Sequence, residues 1–112
     1  MHRAYVALGA NLDEPQAQVR NALAALCRLP LSRLAASSSL YRTAPVGLAE
    51  QPDFINAVAA LDTELLPDDL LEALFAIERD FGRVRKAKNG PRTLDLDLLL
   101  YDDQVIDTPH LH

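Results

Sequence analysis

The sequence predicts an α+β fold, a ferredoxin-like antiparallel or mixed sheet with helices packed mainly on one face. The predicted elements follow the order strand, helix, strand, strand, helix, strand and short strand, and their apolar residues recur at strand or helix spacing. A chain of 112 residues with 49% hydrophobic content can bury one core but has no room for a second. We therefore expect a single domain over residues 1–112.

The first two elements are a strand over residues 3–10 and a helix that opens near Pro15. The strand is apolar and meets a cluster of turn and helix-start residues, and proline suits the first turn of a helix. We expect the helix to end before Pro30 and to bury Cys27, since burial is the usual fate of a free cysteine. Its apolar face combines four residues at helical spacing: Val19, Ala22, Leu23 and Leu26.

The middle of the chain predicts two strands separated by a long loop. Residues 34–43 form the first strand, and the proline- and glycine-containing stretch 44–52 forms the loop. Residues 54–61 resume an apolar strand pattern. Asn56 is an odd polar insertion there, on the same face as Phe54.

The second helix opens at Pro67, where two aspartates favour the positive end of the helix dipole. Gly82 is expected to cap it, and residues 83–92 then form a polar loop. The last predicted elements are a strand over 93–101, a hairpin turn, and a short strand over 104–108. The apolar face of the helix is formed by Leu70, Leu74, Ile77 and Phe81.

Charge and hydropathy exclude several classes of protein. A formal net charge of -5 argues against a general nucleic-acid binder, because such a protein needs a basic surface. The apolar run at the start is too short for a signal peptide, and no stretch approaches the roughly 20 apolar residues of a membrane span. A single cysteine excludes an internal disulfide. We expect a cytoplasmic protein without a membrane partner.

Asp95 and Asp97 are the first candidates for chemistry. Strand side chains alternate between faces, so both carboxylates lie on one face of a strand that is otherwise apolar. Such a pair is costly unless a cation neutralises it, and carboxylate oxygens favour a hard ion such as Mg²⁺. From this pattern alone, a metal site and a solvent-facing polar edge are about equally favoured.

The residues just before this strand favour the metal site. Five of the 11 Lys and Arg residues lie within residues 83–92 of a chain that is acidic overall. Carboxylates preceded by basic residues are suited to polyphosphate, because a metal ion bridges phosphate oxygens while guanidinium groups stabilise charge. A solvated run of charges is the alternative. The sequence contains neither a P-loop nor a Gly-x-Gly-x-x-Gly motif, so a nucleotide would be held in another way.

Four runs give the sequence a specific resemblance: ALGANL at 7–12, SLYRTAPVG at 39–47, QPDFINA at 51–57 and KNGPRTLDLDLL at 88–99. In this order they resemble the 6-hydroxymethyl-7,8-dihydropterin pyrophosphokinases. The resemblance implies a magnesium-dependent transfer of diphosphate from ATP to the pterin hydroxymethyl group in folate biosynthesis, with AMP leaving.

The resemblance also implies roles for individual residues. Asp95 and Asp97 would hold two magnesium ions, and Arg83 and Arg92 would contact the phosphates and take part in catalysis. Glu78 and Lys86 would lie on the nucleotide side. The implied pterin pocket consists of Thr43, Ala44, Val46, Phe54 and Asn56.

The sequence departs from the family pattern in two places. The basic loop is one residue shorter at 88–90, and family members continue for several tens of residues past His112, so we expect a C-terminally short domain. We expect a monomer, and association through an exposed sheet edge is the alternative. Two alternatives remain: a catalytically incomplete ligand-binding module of the same fold, and a two-metal enzyme that hydrolyses phosphodiesters.

Overall fold

The computed structural model describes residues 1–11, 14–44, 53–85 and 94–105, with the backbone alone for 82–85 and 105. Two helices and six strands follow one another along these residues. Neither helix in these ranges has the length and apolar content needed to cross a membrane. The elements are β1 (His2–Ala10), α1 (Pro15–Cys27), β2 (Ser32–Ser37), β3 (Tyr41–Thr43), β4 (Phe54–Thr63), α2 (Pro67–Arg85), β5 (Asp95–Tyr101) and β6 (Gln104–Val105).

The strands form one sheet in the order β2-β4-β1-β5-β6, and β3 also pairs with β4. Every strand pairing among the described residues is antiparallel. β2 pairs with the second half of β4 and β3 with its first half, so β2 and β3 are two parts of one edge. When β2 and β3 are counted together as one edge strand, the strand order confirms the predicted α+β, ferredoxin-like fold.

The core lies between the two helices and one face of the sheet. Alternate residues of β1 and β4 are buried against the helices, so each central strand has one face in the core. The opposite side, here called the open face, carries the other alternating set. The fully buried large side chains of the core are Val6, Leu8, Val19, Leu26, Leu61, Leu70, Leu74, Leu94, Leu96 and Leu98.

A β-bulge in β5 separates its two ends. The register with β1 shifts between Tyr5 and Val6, which leaves Leu99 as the extra residue on β5. Tyr101 therefore lies in the core, 5% exposed, although simple alternation would place it beside Asp97 on the open face. Its hydroxyl donates a hydrogen bond to the carbonyl oxygen of Leu65 at 2.5 Å.

The prediction of one continuous strand over 34–43 is wrong, because residues 38–40 separate β2 from β3. Ser38 bridges the break: its N–H donates to the Val58 carbonyl at 2.8 Å, and its hydroxyl accepts from the Val58 N–H at 2.9 Å. A serine side chain thus replaces one backbone bond of the ladder.

Two further expectations are wrong. Gly82 does not cap α2, because the helix continues to Arg85, so residues 83–85 of the expected loop over 83–92 are helical. Cys27 ends α1 but is exposed rather than buried. It follows the buried Leu26, and one residue of an α-helix turns the side chain by about 100°, away from the core.

The hairpin turn after β5 is tied to the first strand by Asp102, which adopts the left-handed conformation with φ 54°. Its Oδ1 atom accepts the Arg3 N–H at 2.9 Å, and its Oδ2 atom lies 2.6 Å from Nδ1 of His2. The hydrogen bond from the Arg3 backbone, followed by that from His2, holds the pKa of Asp102 below its usual range.

This lowered pKa predicts a loss of stability in acid. The carboxylate contributes stability that is present above the pKa of an unfolded aspartate, about 4, and is lost as the pH falls through the folded value. Asp102→Asn keeps a residue that tolerates positive φ but removes the charge. Urea unfolding between about pH 5 and pH 2 should therefore show a shallower decline in unfolding free energy for the variant. Equal slopes for both proteins would contradict the prediction.

Candidate active site

The predicted carboxylates lie on the open face of the sheet, at the start of β5. Asp95 and Asp97 are half-buried and alternate with buried leucines. In the register with β1, Asp95 is opposite Gly9 and Asp97 is opposite Ala7. Both carboxylates therefore lie beside small residues of the central strand, and the Oδ1 atom of Asp95 is buried there.

Asn56 reaches the same place from the other side of β1. It pairs with Gly9 in the β1–β4 register, so Asn56, Gly9 and Asp95 stand in one row across three strands. Two strand spacings separate the outer members of that row by about 10 Å. The polar insertion noted in the sequence is thus aligned with the carboxylates.

A small cavity of about 160 Å³ occupies this part of the sheet; we call it the open-face depression. Four of the predicted site residues contribute to it, including the aromatic Phe54, which is half-buried rather than packed in the core. The depression is lined by Ala7, Leu8, Gly9, Phe54, Asn56, Asp95 and Asp97.

The amide of Asn56 is oriented by the neighbouring edge strand. Its Nδ2 atom donates to Oγ1 of Thr43 at 2.9 Å and to the Tyr41 carbonyl at 3.5 Å. The Oδ1 atom points towards Gly9, because a Cβ placed on this glycine would lie 3.2 Å from it. The donor side of the amide is thus engaged by β3, and the acceptor side borders the depression.

The donor set at the depression suits magnesium rather than a zinc-type centre. The described residues contain no group of three or more His, Cys, Asp and Glu side chains that could hold a metal ion by themselves. Magnesium does not need one, since it is commonly bound by one or two carboxylates together with water and substrate phosphates. The side chains of Asp95 and Asp97, two residues apart on one face, fit that mode.

The other predicted residues are only partly described. Thr43 and Ala44 are exposed at the end of β3, and Thr43 acts on the site through Asn56. Arg83 lies in the last turns of α2, where the backbone alone is described. Three predicted residues lie outside the described residues: Val46, Lys86 and Arg92.

Glu78 lies on α2 and makes a contact that the sequence did not predict. Its Oε2 atom accepts the backbone N–H of Leu96 at 2.6 Å. Leu96 is the residue between Asp95 and Asp97. The predicted nucleotide-side residue is therefore joined to the strand that carries both carboxylates.

A second cavity, about 500 Å³, lies near the start of α1 and is larger than the depression. It contains two arginines, Arg20 and Arg42, but it also contains Glu14 and Asp53 and lacks the paired carboxylates. We assign the candidate site to the open-face depression, because a pair of carboxylates, an oriented amide and an aromatic side chain converge there.

Sequence reasoning missed Ala7 and Gly9, which form the floor of the depression. Both belong to the run ALGANL, but neither was singled out as a site residue. The available signal was the presence of small side chains at alternate positions of an apolar strand. Such positions share one face and leave space above it.

The fold and the depression define an α+β domain with a carboxylate and amide site on the open face of its sheet. The model of the 7,8-dihydro-6-hydroxymethylpterin-pyrophosphokinase family matches residues 5–112. The chain belongs to this family.

Curated relatives agree with the family match. A 2-amino-4-hydroxy-6-hydroxymethyldihydropteridine pyrophosphokinase of Pseudomonas aeruginosa is 58% identical over 111 residues, which cover 99% of this chain and 68% of the relative. A protein of the same name from Pseudomonas putida is 58% identical over 109 residues, 97% of this chain and 90% of the relative. One from Haemophilus influenzae is 47% identical over 111 residues, which cover 99% of this chain and 69% of the relative.

Proposed function

We propose that the chain transfers diphosphate from ATP to the hydroxymethyl oxygen of 6-hydroxymethyl-7,8-dihydropterin, a step in folate biosynthesis that releases AMP. The observation that carries this proposal is the row of Asn56, Gly9 and Asp95 across three strands. The backbones of Asn56 and Asp95 are two strand spacings apart, about 10 Å. This spacing supports recognition of a heterocycle by Asn56, with the metal and its phosphates held at the aspartates. That separation suits a pterin ring whose hydroxymethyl arm points towards the carboxylates.

The pterin would be recognised by Asn56 and Phe54. The Asn56 Oδ1 atom borders the depression as an acceptor, which suits the ring N–H and amino donors of a pterin edge. Phe54 offers an aromatic face to the plane of the ring. Thr43 holds the amide in this orientation, and Ala44 and Val46 would add backbone contacts.

Asp95 and Asp97 would hold Mg²⁺, with two ions expected when ATP is bound. Bound magnesium neutralises charge on phosphate oxygens and lowers the pKa of a coordinated alcohol. Arg83 and Arg92 would contact the transferred phosphates, and Lys86 and Glu78 would lie on the nucleotide side. Together these groups would distribute the charge that develops during transfer.

In the proposed reaction, the pterin hydroxymethyl oxygen forms a bond to the β-phosphorus of ATP. The bond from that phosphorus to the oxygen bridging the α and β positions breaks, AMP leaves, and the hydroxyl proton is released. The protein residues orient the two substrates in line, which is the main contribution in phosphoryl transfer.

We propose that the chain acts as a cytoplasmic monomer.

The proposal is tested by measuring AMP release with magnesium and ATP, with and without the pterin. AMP that forms only when both substrates are present, together with pyrophosphorylated pterin, is the expected result. Pterin binding without AMP would instead favour a catalytically incomplete ligand-binding module. Cleavage of phosphodiesters without pterin would contradict both readings.

Gly9→Ala is expected to weaken pterin binding while leaving the fold intact. The added methyl group would lie 3.2 Å from the Asn56 Oδ1 atom, so the amide must shift by a few tenths of an ångström. We expect the Kd for the pterin to rise roughly threefold to tenfold, which is about 1 kcal/mol. Alanine is also a better strand residue than glycine by about 0.5–1 kcal/mol, so thermal stability should not fall. Unchanged pterin affinity would contradict recognition of the pterin ring by Asn56.

A further inference from the structure

The start of β5, where the two aspartates lie, is held differently at its two edges. On its inner edge, β5 pairs with β1 through the whole stretch opposite Ala4 to Gly9. On its outer edge it pairs with β6, but only at Leu100 and Tyr101. Within the described ranges, therefore, no strand pairs with the outer edge at residues 95–98.

Among the described residues, Glu78 binds the β5 backbone within this stretch. Its carboxylate accepts the Leu96 N–H at 2.6 Å, a short charge-assisted hydrogen bond in a partly buried setting. The bond joins the middle of α2 to a strand residue that is 2% exposed and whose side chain packs in the core. Leu96 is thus fixed by its side chain in the core and by its amide on the helix.

The peptide group that donates this bond connects Asp95 to Leu96, and Asp97 follows directly. A shift of that peptide moves the Cα atoms of Asp95 and Leu96, and with them the start of the Asp97 backbone. It therefore changes the separation of the two carboxylates and their distance from Asn56 across Gly9. Small changes of this kind matter, because a misplacement of about 1 Å can reduce a rate about a hundredfold.

We propose that Glu78 is a positioning residue, which holds the segment from Asp95 to Asp97 in the geometry that aligns the metal and the phosphates for transfer. The inference rests on the proposed pyrophosphokinase function and extends it. It differs from a direct contact with the nucleotide, because it acts in the ligand-free chain and through the backbone of Leu96.

The test compares Glu78→Ala, which removes the acceptor, with Glu78→Gln, whose amide oxygen can accept the same hydrogen bond. Glu72→Ala is the control, because Glu72 is an exposed glutamate of the same helix. Two readouts are measured: hydrogen exchange of the Leu96 amide and chemical shifts of the Asp95 and Asp97 amides in the ligand-free chain, and kcat and KM for pterin-dependent AMP release.

We expect Glu78→Ala to increase Leu96 exchange at least about tenfold, to shift both aspartate amides, and to lower kcat about 10- to 100-fold, the effect typical of groups that orient metal ligands. The KM for ATP should change much less than kcat. Glu78→Gln should keep Leu96 exchange and kcat close to the wild-type values, and Glu72→Ala should match the wild type.

Unchanged Leu96 exchange in Glu78→Ala would overturn the inference, as would a rise in the KM for ATP with kcat intact. The second result would assign Glu78 to nucleotide binding. If the wild-type chain releases no AMP, the proposed function fails, but exchange and chemical shifts in the ligand-free chain still decide whether Glu78 holds this segment.

Discussion

Asp97→Asn is expected to lower pterin-dependent AMP release by about a thousandfold or more, a change of roughly 4 kcal/mol in transition-state stabilisation. The substitution preserves the size of the side chain but removes one of two carboxylates that would hold the metal and its phosphates. Asp95→Asn should have an effect of similar size. Removing one of two neighbouring like charges also relieves repulsion, so thermal stability should be kept or raised.

Asp103→Asn is the matched control for this prediction. It removes the same charge from an exposed residue of the turn beyond β5, at the opposite end of the strand from the depression. Its turnover should equal that of the wild type. If Asp97→Asn and Asp95→Asn both retained wild-type turnover, the carboxylates would have no part in the reaction.

Leu61→Ala is expected to cause the largest loss of stability, about 2–5 kcal/mol. Leu61 is 0% exposed on β4 and pairs with Ala4, towards the end of the sheet that is distant from Asn56. Removing its side chain leaves a cavity in close-packed surroundings. The total unfolding free energy of a typical domain is only about 5–15 kcal/mol. Urea unfolding measures the change directly.

Leu66→Ala serves as the comparison, because Leu66 is 62% exposed. Its effect should stay within about 0.5 kcal/mol. Equal effects of the two substitutions would contradict the placement of the core between the helices and the β1–β4 pair. At a temperature where the variant stays folded, Leu61→Ala should retain its turnover, since the substitution lies outside the depression.

Alternation and helical spacing were sufficient to predict the main elements and the face of β5 that carries the aspartates. Those signals are local, and each is set by which residues a strand or helix must bury. Asn56 stood out for the same reason, as a polar residue in an apolar strand. The structure places it in line with Asp95, but the alignment itself depends on register.

The features that were missed depend on partners distant in the chain. The bulge at Leu99 arises from pairing with β1, and nothing in the run of leucines marks it. The break in the edge strand is stabilised by Ser38 bonding to Val58 of another strand.

The error at Gly82 has a local cause. Gly82 was predicted to cap the helix, yet a glycine inside a helix costs only about 1 kcal/mol, and the helix continues past it.

The small residues of β1 were missed because their effect is visible only across strands. Ala7 and Gly9 mark one face of β1 by their small size, but the sequence does not show what lies beside them. Between Asn56 on one side and the aspartates on the other, they become the floor of a cavity. The contact of Glu78 with Leu96 was likewise beyond sequence reasoning, since it joins a helix to a strand 18 positions later.

The most direct test of the account is a crystal structure of the chain with the pterin, magnesium and a non-hydrolysable ATP analogue. We predict pterin density beside the Asn56 amide and Phe54, with metal ions bound by Asp95 and Asp97 on the open face. Pterin in the larger cavity beside Arg20 and Arg42, with no metal at the two aspartates, would contradict it.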